Sequence, residues 1–541
     1  MYTILAIGFS VIIPIIILRK DFILKEKKTF IFENKKTLLI YIILVVGFLV
    51  RLIDIDRIPN AVHTDEASIG YEAYSVLNYG TDRNGKSIPV FLESWGSGQN
   101  ALYMYIIMPF VKILGLSVLS VRLPMAIMGC ISLIVLYKLL LKIDKSRIEI
   151  IGLAFFAITP WHIMKSRYGL ESNVFPDFMF YAVYFIYVGL KESKNYKMYI
   201  GAVFLGLCSY AYGTSYYFLP IFVSILLVIL IKRKEITIKN AIVFIGIIFT
   251  ISLPIILMLF INHFNLEEIH IGKITIPRME ENRYEKLTVL FSTKNFINNI
   301  MTNLKNSLKM LLFQTDGFNA NTLEFYGITY IFSLPLTIIG LIESFRKKED
   351  ITTIFNIWFI VAISIIIICI PNINRLNILY IPLIFYTIFG IYNITSWLNW
   401  TKQLFILFYI VSFVLFEITY FNTDFTKTYT FINGVENVIK YTKSLDKEKI
   451  YFEYSFKEPY IYILFYNKED TNEFVSTVKY KNNHKDFNSV EEFGKYKFYL
   501  PQKLSKSENI CYIMKKSTSK KYEIDENIWE ITEIDDFYII E

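Results

Sequence analysis

The fold class predicted by the sequence is a mainly α, polytopic membrane bundle of about twelve spans over residues 1–421, followed by a small α/β domain over 422–541. Three observations predict it. The 541-residue chain is 54% hydrophobic and only 19% charged, with a mean hydropathy of +0.42, whereas a soluble chain carries about 25% charged residues and could not cover that apolar surface. Apolar runs of about 16 to 24 residues recur between clusters of Lys and Arg, the length a helix needs to cross a bilayer. The composition then changes near residue 422, beyond which 18 Lys stand against 21 Asp and Glu, leaving the preceding part a surplus of +11.

The elements follow in order. Tyr2–Leu18 is apolar, has no basic residue ahead of it and no small-residue cleavage site after it, so it reads as a retained span. The loop behind it carries seven Lys or Arg before Thr37–Ile53, which places that loop in the cytoplasm and the N-terminus outside. Five more basic clusters, at Lys142–Arg147, Lys191–Lys197, Lys232–Lys239, Arg346–Lys348 and Lys402, each separate two apolar runs: 118–141 and 148–165, 174–190 and 197–212, 216–231 and 240–261, 326–344 and 351–370, 376–396 and 403–421. All five fall inside only if the segment 99–115, interrupted by Pro109 and Lys112, lies on the membrane instead of crossing it. Three outer loops result, 54–117, 162–173 and 262–325, with the tail 422–541 on the same side.

Basic surplus on such a chain reports cytoplasmic loops and excludes nucleic acid as a partner; the partners in view are membrane lipids and whatever the outer face handles. The four cysteines show neither a disulfide framework nor a zinc spacing: Cys130, Cys208 and Cys369 lie in apolar runs and Cys511 is alone in the tail. Abundant Ile, Lys, Asn and Tyr suggest an AT-rich genome and a bacterial plasma membrane.

The candidate chemistry lies on the outer loops. In the first, Asp65 and Glu66 precede "ASIGYEAYSVLNYG", an amphipathic helix that also carries Tyr71. Adjacent acids there serve either as cap and dipole compensation or as a general base at the lipid–water boundary. The second loop packs His162, Lys165, Arg167 and Glu171 into ten residues at membrane depth, where charges are costly unless paired or functional. Arg122 stands near the outer end of its span, and Arg375 opens a span from the outside, where such a cation is disfavoured unless it meets a phosphate or carboxylate. Asp316 and Glu324 lie in a turn-rich stretch of the third loop.

Taken in order, the Asp65–Glu66 pair, "VRLPMAIMGCISLIVLYKL", "RYGLESN" and "NRLNILYIPLI" resemble the family 39 glycosyltransferases, the protein O-mannosyltransferase and lipid A aminoarabinose transferase group with the GT-C fold, over roughly residues 37–400. The extra N-terminal span and the tail depart from that pattern. The resemblance implies a polyprenyl-phosphate sugar donor, work on the outer or lumenal face, and an acceptor hydroxyl on a protein, lipid or glycan. It implies that Asp65 is the catalytic acid with Glu66 beside it, and that Glu171 is the acidic position of the second loop. Asp65 then takes the acceptor's proton and cations stabilise the departing phosphate, with Arg375, Arg122, Lys165 and Arg167 as candidates and His162 and Tyr71 as further substrate contacts. Direct displacement inverts the anomeric centre. No cofactor is required by this chemistry, although Asp65, Glu66 and Glu171 could hold a divalent cation through oxygen ligands. A polytopic transporter or lipid flippase is the alternative, and it would place ionisable residues or broken helices near the bilayer midplane.

Overall fold

The computed structural model describes residues 2–23, 34–96, 98–279, 296–318, 320–347, 349–422, 434–454, 458–481, 489–522, 524 and 527–541. It forms two compact units. The first gathers Met1–Ile55, Arg122–Leu253 and Tyr284–Asn422; the second gathers Asp56–Val121, Pro254–Arg283 and Thr423–Glu541. The tail therefore folds together with the first long connection, and the single boundary drawn near residue 422 from composition does not describe the packing.

The first unit is helical. Each of the twelve apolar runs forms helix, but among the described residues only seven helices are long and apolar enough to cross a membrane, or eight if one bent pair counts as a single span. The expected count of about twelve thus exceeds what length and composition support. Lys35–Leu52 carries Lys35, Lys36 and Arg51, while Asn195–Cys208 and Leu334–Arg346 have 14 and 13 residues.

The bent pair corrects the reading of 148–165 as one continuous span. Ile148–Ala157 and Pro160–Ser166 meet at 57°. Pro160 has no N–H to donate, and its ring would strike the carbonyl four residues back, so the ladder breaks there. A break at membrane depth leaves carbonyls that hydrocarbon cannot satisfy. Arg51 resolves this: its guanidinium donates to Ala157 O at 2.9 Å and Phe156 O at 3.2 Å, while the Tyr330 hydroxyl donates to Ile158 O at 2.8 Å.

Elsewhere the helices approach through small residues, as membrane helices do. A Cβ on Gly340 would lie 1.8 Å from Tyr386 O, and one on Gly390 would lie 1.9 Å from Leu336 O, so only glycine lets Leu334–Arg346 and Asn377–Trp397 pack this closely. Thr337 and Thr387 hydroxyls meet at 2.7 Å across the same contact.

Ion pairs gather the basic connections at one end of this unit. Lys36 pairs with Glu149 at 2.5 Å, Lys142 with Glu192 at 2.9 Å, Lys145 with Glu349 at 3.2 Å and Arg233 with Asp350 at 3.3 Å. The opposite end holds the start of the chain, where Tyr2 bonds Leu52 O and Thr3 bonds Asp54, together with Arg122 on Ile55 O and Arg167 on Val50 O. The connections at Lys36, Lys142–Arg147, Lys191–Lys197, Lys232–Lys239 and Arg346–Lys348 are thus linked to one another by the ion pairs of Glu149, Glu192, Glu349 and Asp350.

The second unit is α/β. Its seven-stranded sheet runs Ile531–Ile534, Phe537–Ile540, Ile510–Lys515, Lys449–Phe452, Tyr496–Lys497, Val490–Phe493, Lys479–Tyr480. Lys449–Phe452 is parallel to both of its neighbours and the other pairings are antiparallel. Ile450 and Phe452 point into the core while Lys449 is exposed, the alternation that "KIYFEYS" encodes. The apolar stretch "YIYILFY" lies in a helix, Pro459–Asn467, that is buried along its length and packed on the helix Thr64–Tyr79. Thr64–Tyr79 also packs on Leu102–Leu114, whose 13 residues rise about 20 Å, short of a bilayer core of about 30 Å.

Candidate functional site

In the second unit the helix Thr64–Tyr79 places the two adjacent acids in different roles. His63 is its N-cap: the ring nitrogen Nδ1 accepts from Asp65 N at 3.2 Å, and the Glu66 carboxylate reaches back to accept from His63 N at 3.0 Å, a reciprocal capping box. Glu66 is fully buried in that arrangement. The Asp65 side chain is 41% exposed, and the cation-capable group nearest its carboxylate among the described residues is His63 Nδ1, 3.7 Å away. The fold thus separates a pair that spacing could not, with one acid spent on the helix end and one presented at the surface.

Tyr71, expected as a substrate contact, is buried. Its hydroxyl donates to Glu469 O at 2.8 Å and lies 3.1 Å from the Thr471 hydroxyl. Burial holds its phenol proton well above the ordinary range, so it acts as a donor tying this helix to the tail. Thr64 bonds the Tyr462 hydroxyl at 2.9 Å and Ser75 bonds Thr471 at 2.8 Å, so the Asp65 helix is fixed at both ends.

Sequence reasoning missed the cluster beneath it. Glu72 and Arg83 are both buried, with Arg83 Nε 3.2 Å from Glu72 Oε1 and Arg83 N donating to Oε2 at 2.9 Å. The Arg83 guanidinium bonds Ser68 Oγ at 2.8 Å and lies 4.9 Å over the Trp95 ring. Asp82 Oδ1 accepts from Asn84 N at 2.9 Å and Lys86 N at 2.8 Å, while its buried Oδ2 has no hydrogen-bond partner. Burial, aided by the charge of Glu72, lifts the Asp82 carboxyl to about 7. Burial likewise pushes Glu72 up, against the pull of Arg83. The acid–base pattern at Glu72, Asp82 and Arg83 in the first loop was the available signal; only the turn at 82–86 brings these side chains onto one helix face.

In the first unit the outer-loop cations form a buried network. Lys165 pairs with Asp177 at 2.5 Å, and Ser132 donates to the same carboxylate at 2.8 Å. His162 Nε2 lies 3.8 Å from Asp177, and Nδ1 lies 2.8 Å from Arg51 Nη2. Lys165 and His162, expected as substrate contacts, therefore have their side chains engaged within the bundle. Arg51 and Asp177 were not singled out from sequence, yet each is a charge inside an apolar run, which is itself the signal. Arg167 and Arg122 are also fully buried; the Arg167 guanidinium lies 4.7 Å over Phe421, and Glu417 is within electrostatic reach of Arg167 and Arg51. Glu171 opens a short turn, Glu171–Asn173, and is half-buried.

Arg375 differs from these. It is half-buried, its guanidinium donates to Ile370 O at 2.8 Å, and no acid pairs with it among the described residues. Asp316 orders the turn before it, accepting from Ile373 N at 3.0 Å. Among the described residues no three His, Cys, Asp or Glu side chains gather as a metal-ligand set.

Residues 100–260 match the model of the dolichyl-phosphate-mannose-protein mannosyltransferase family, a stretch that includes Arg122, His162, Lys165, Arg167, Glu171 and Asp177. No curated protein sequence matches the chain. In structure it is similar to ArnT from Cupriavidus metallidurans in the apo state, with a TM-score of 0.54 and 11% identity over 93% of this chain and 97% of that one. ArnT from the same organism bound to undecaprenyl phosphate gives a TM-score of 0.52 at 11% identity, with the same coverage. The chain thus has the GT-C fold and, over residues 100–260, the sequence character of the protein mannosyltransferase group, as the resemblance read from its motifs implies.

Proposed function

We propose that this protein is an integral-membrane glycosyltransferase that moves a sugar from a polyprenyl-phosphate donor to an acceptor hydroxyl, with inversion, on the outer face of the membrane. The observation that carries the reading is the exposed Asp65 carboxylate on a helix end held rigid by the Glu66–His63 capping box, in a chain that shares its fold with an enzyme crystallised with undecaprenyl phosphate.

Asp65 accepts the acceptor's proton as its oxygen attacks the anomeric carbon, a role worth roughly 10²–10⁴-fold. The phosphate leaves with an added negative charge, and a cation with no acidic partner among the described residues serves it best, which favours Arg375 over the internally paired Lys165. No cofactor is needed for these two steps, and retention of activity in EDTA tests that point. The acceptor is a protein, lipid or glycan hydroxyl on the surface of the plasma membrane.

A transporter or flippase is the second reading, favoured by the broken helix pair and the buried charges of Arg51, Lys165 and Asp177. Those groups satisfy one another and the broken backbone, a structural use that needs no transported ion. The deciding experiment follows release of polyprenyl phosphate from a panel of polyprenyl-phosphate sugars by purified protein in nanodiscs with envelope acceptors, for wild type and Asp65→Asn. Release by wild type and loss in the variant, with lipid binding kept, supports the transferase. Lipid movement across sealed vesicles without sugar release, unchanged in the variant, would establish the second reading.

A further inference from the structure

The helix Phe296–Phe313 in the first unit faces three environments at once. Taking 100° per residue, Ile297, Met301, Leu304, Leu308 and Leu312 fall within an arc of about 80°, and their exposures are 73, 61, 41, 61 and 48%. Asn298, Thr302, Lys305, Asn306 and Lys309 occupy the neighbouring arc and are exposed as well. The third face, Asn303, Ser307 and Met310, is buried, and the helix packs against Asp350–Ile368, one of the helices able to cross a membrane.

This arrangement is the reverse of a helix on a water-soluble surface, which turns its large apolar side chains inward. Here two of the three inward positions are Asn and Ser, while seven large apolar residues are exposed, the five of the apolar arc and Phe296 and Phe313 at the two helix ends. A medium that is apolar on one side of the helix and aqueous on the next is the boundary of a bilayer. The helix is too polar to cross, carries no acidic residue, and sets Lys305 and Lys309 one turn apart beside the apolar arc. Lysines so placed run their stems along the hydrocarbon and their ammonium groups into the headgroup layer.

We propose that Phe296–Phe313 is an interfacial helix that lies along one leaflet with its apolar face among the acyl chains and selects anionic phospholipid through Lys305 and Lys309. The partner is a lipid surface, and the inference is independent of the transferase reading.

The test attaches a bimane fluorophore at Leu308→Cys or Asn306→Cys in the full-length protein, corrects for labelling of the native cysteines, and uses mixed nanodiscs in which either phosphatidylglycerol or phosphatidylcholine carries bromine on its acyl chains. Bimane at position 308 is expected to be quenched, more by brominated phosphatidylglycerol, and bimane at 306 to escape both quenchers. Replacing both lysines, Lys305→Gln with Lys309→Gln, is expected to erase the preference, which at low salt corresponds to roughly five-fold enrichment per lysine. Absence of quenching at 308, or equal quenching at 306 and 308, would overturn the interfacial placement. Equal quenching by the two lipids in wild type, or a preference that survives in the double variant, would overturn the anionic selection. A second copy of the chain covering the apolar arc would appear as protection of 308 from both lipids together with a doubled mass, and that outcome also overturns the proposal.

Discussion

The backbone N–H of His63 donates to the Glu66 carboxylate across 3.0 Å, while Asp65, one residue earlier, keeps its carboxylate 41% exposed. Neighbours in sequence thus divide structural and chemical duty. Glu66→Ala leaves the buried end of a capping box without its acceptor and is expected to cost about 1–3 kcal/mol of stability, read as a lowered thermal midpoint in detergent. Asp65→Asn is expected to change that midpoint by under about 0.5 kcal/mol while sugar release falls roughly 10²–10⁴-fold. The reverse pattern would exchange the two roles.

The Lys165–Asp177 pair gives a second prediction. Its members are 2.5 Å apart with side chains 2 and 0% exposed. Removing one partner strands a buried charge, so Lys165→Met or Asp177→Asn alone is expected to destabilise by roughly 3–5 kcal/mol. The double variant should lose markedly less than the sum. Additive losses in a double-mutant cycle of thermal unfolding would show that the two side chains do not depend on each other.

Asp82 makes the second unit sensitive to pH. With its carboxyl raised to about 7 by burial and by Glu72, the folded chain holds a proton that an unfolded Asp releases near pH 4. The folded state therefore binds more protons between these values. Its contribution to stability is full below about pH 4, declines as pH rises to 7, and is gone above; Glu72 is shifted in the same direction. Asp82→Asn keeps the Oδ1 acceptor for Asn84 and Lys86 and removes this titration. It should match wild type at low pH and exceed it at pH 8 by up to about 4 kcal/mol, measured as hydrogen-exchange protection of the Asp65 helix. A pH profile identical to wild type would refute the assignment.

Arg375→Ala is expected to weaken polyprenyl-phosphate binding roughly 10- to 100-fold, the scale of a lost hydrogen bond to a charged group, and to leave the thermal midpoint unchanged because the side chain is only half-buried. Arg375→Lys should recover part of the binding, since the charge survives without the forked geometry. Binding that is equal in all three forms would remove Arg375 from the donor site.

Much of the architecture was legible in the sequence because it rests on averages over many residues. Hydropathy runs place the helices, and the ion pairs at Glu149, Glu192, Glu349 and Asp350 link the basic connections to one another, except the one at Lys402. The change in composition near residue 422 foretells an α/β unit. It does not foretell that this unit incorporates 56–121, since Tyr71, Ser75 and Thr64 find their partners some 400 positions away.

The candidate acids and cations were visible as residue types at membrane-boundary positions, but their roles depend on individual contacts. Asp65 and Glu66 are equivalent until a helix end claims one of them. Lys165 reads as a free cation until Asp177 is packed against it, and Arg51 looks misplaced until Pro160 breaks the helix whose carbonyls it satisfies. By itself the sequence determined the membrane class, the helix positions and the pool of chemical groups, because burial in lipid acts on every residue of a segment alike. Only the tertiary structure decided which charges are spent on holding the fold and which stay available, because hydrogen bonds and ion pairs depend on distances of a few ångströms between residues far apart in the chain.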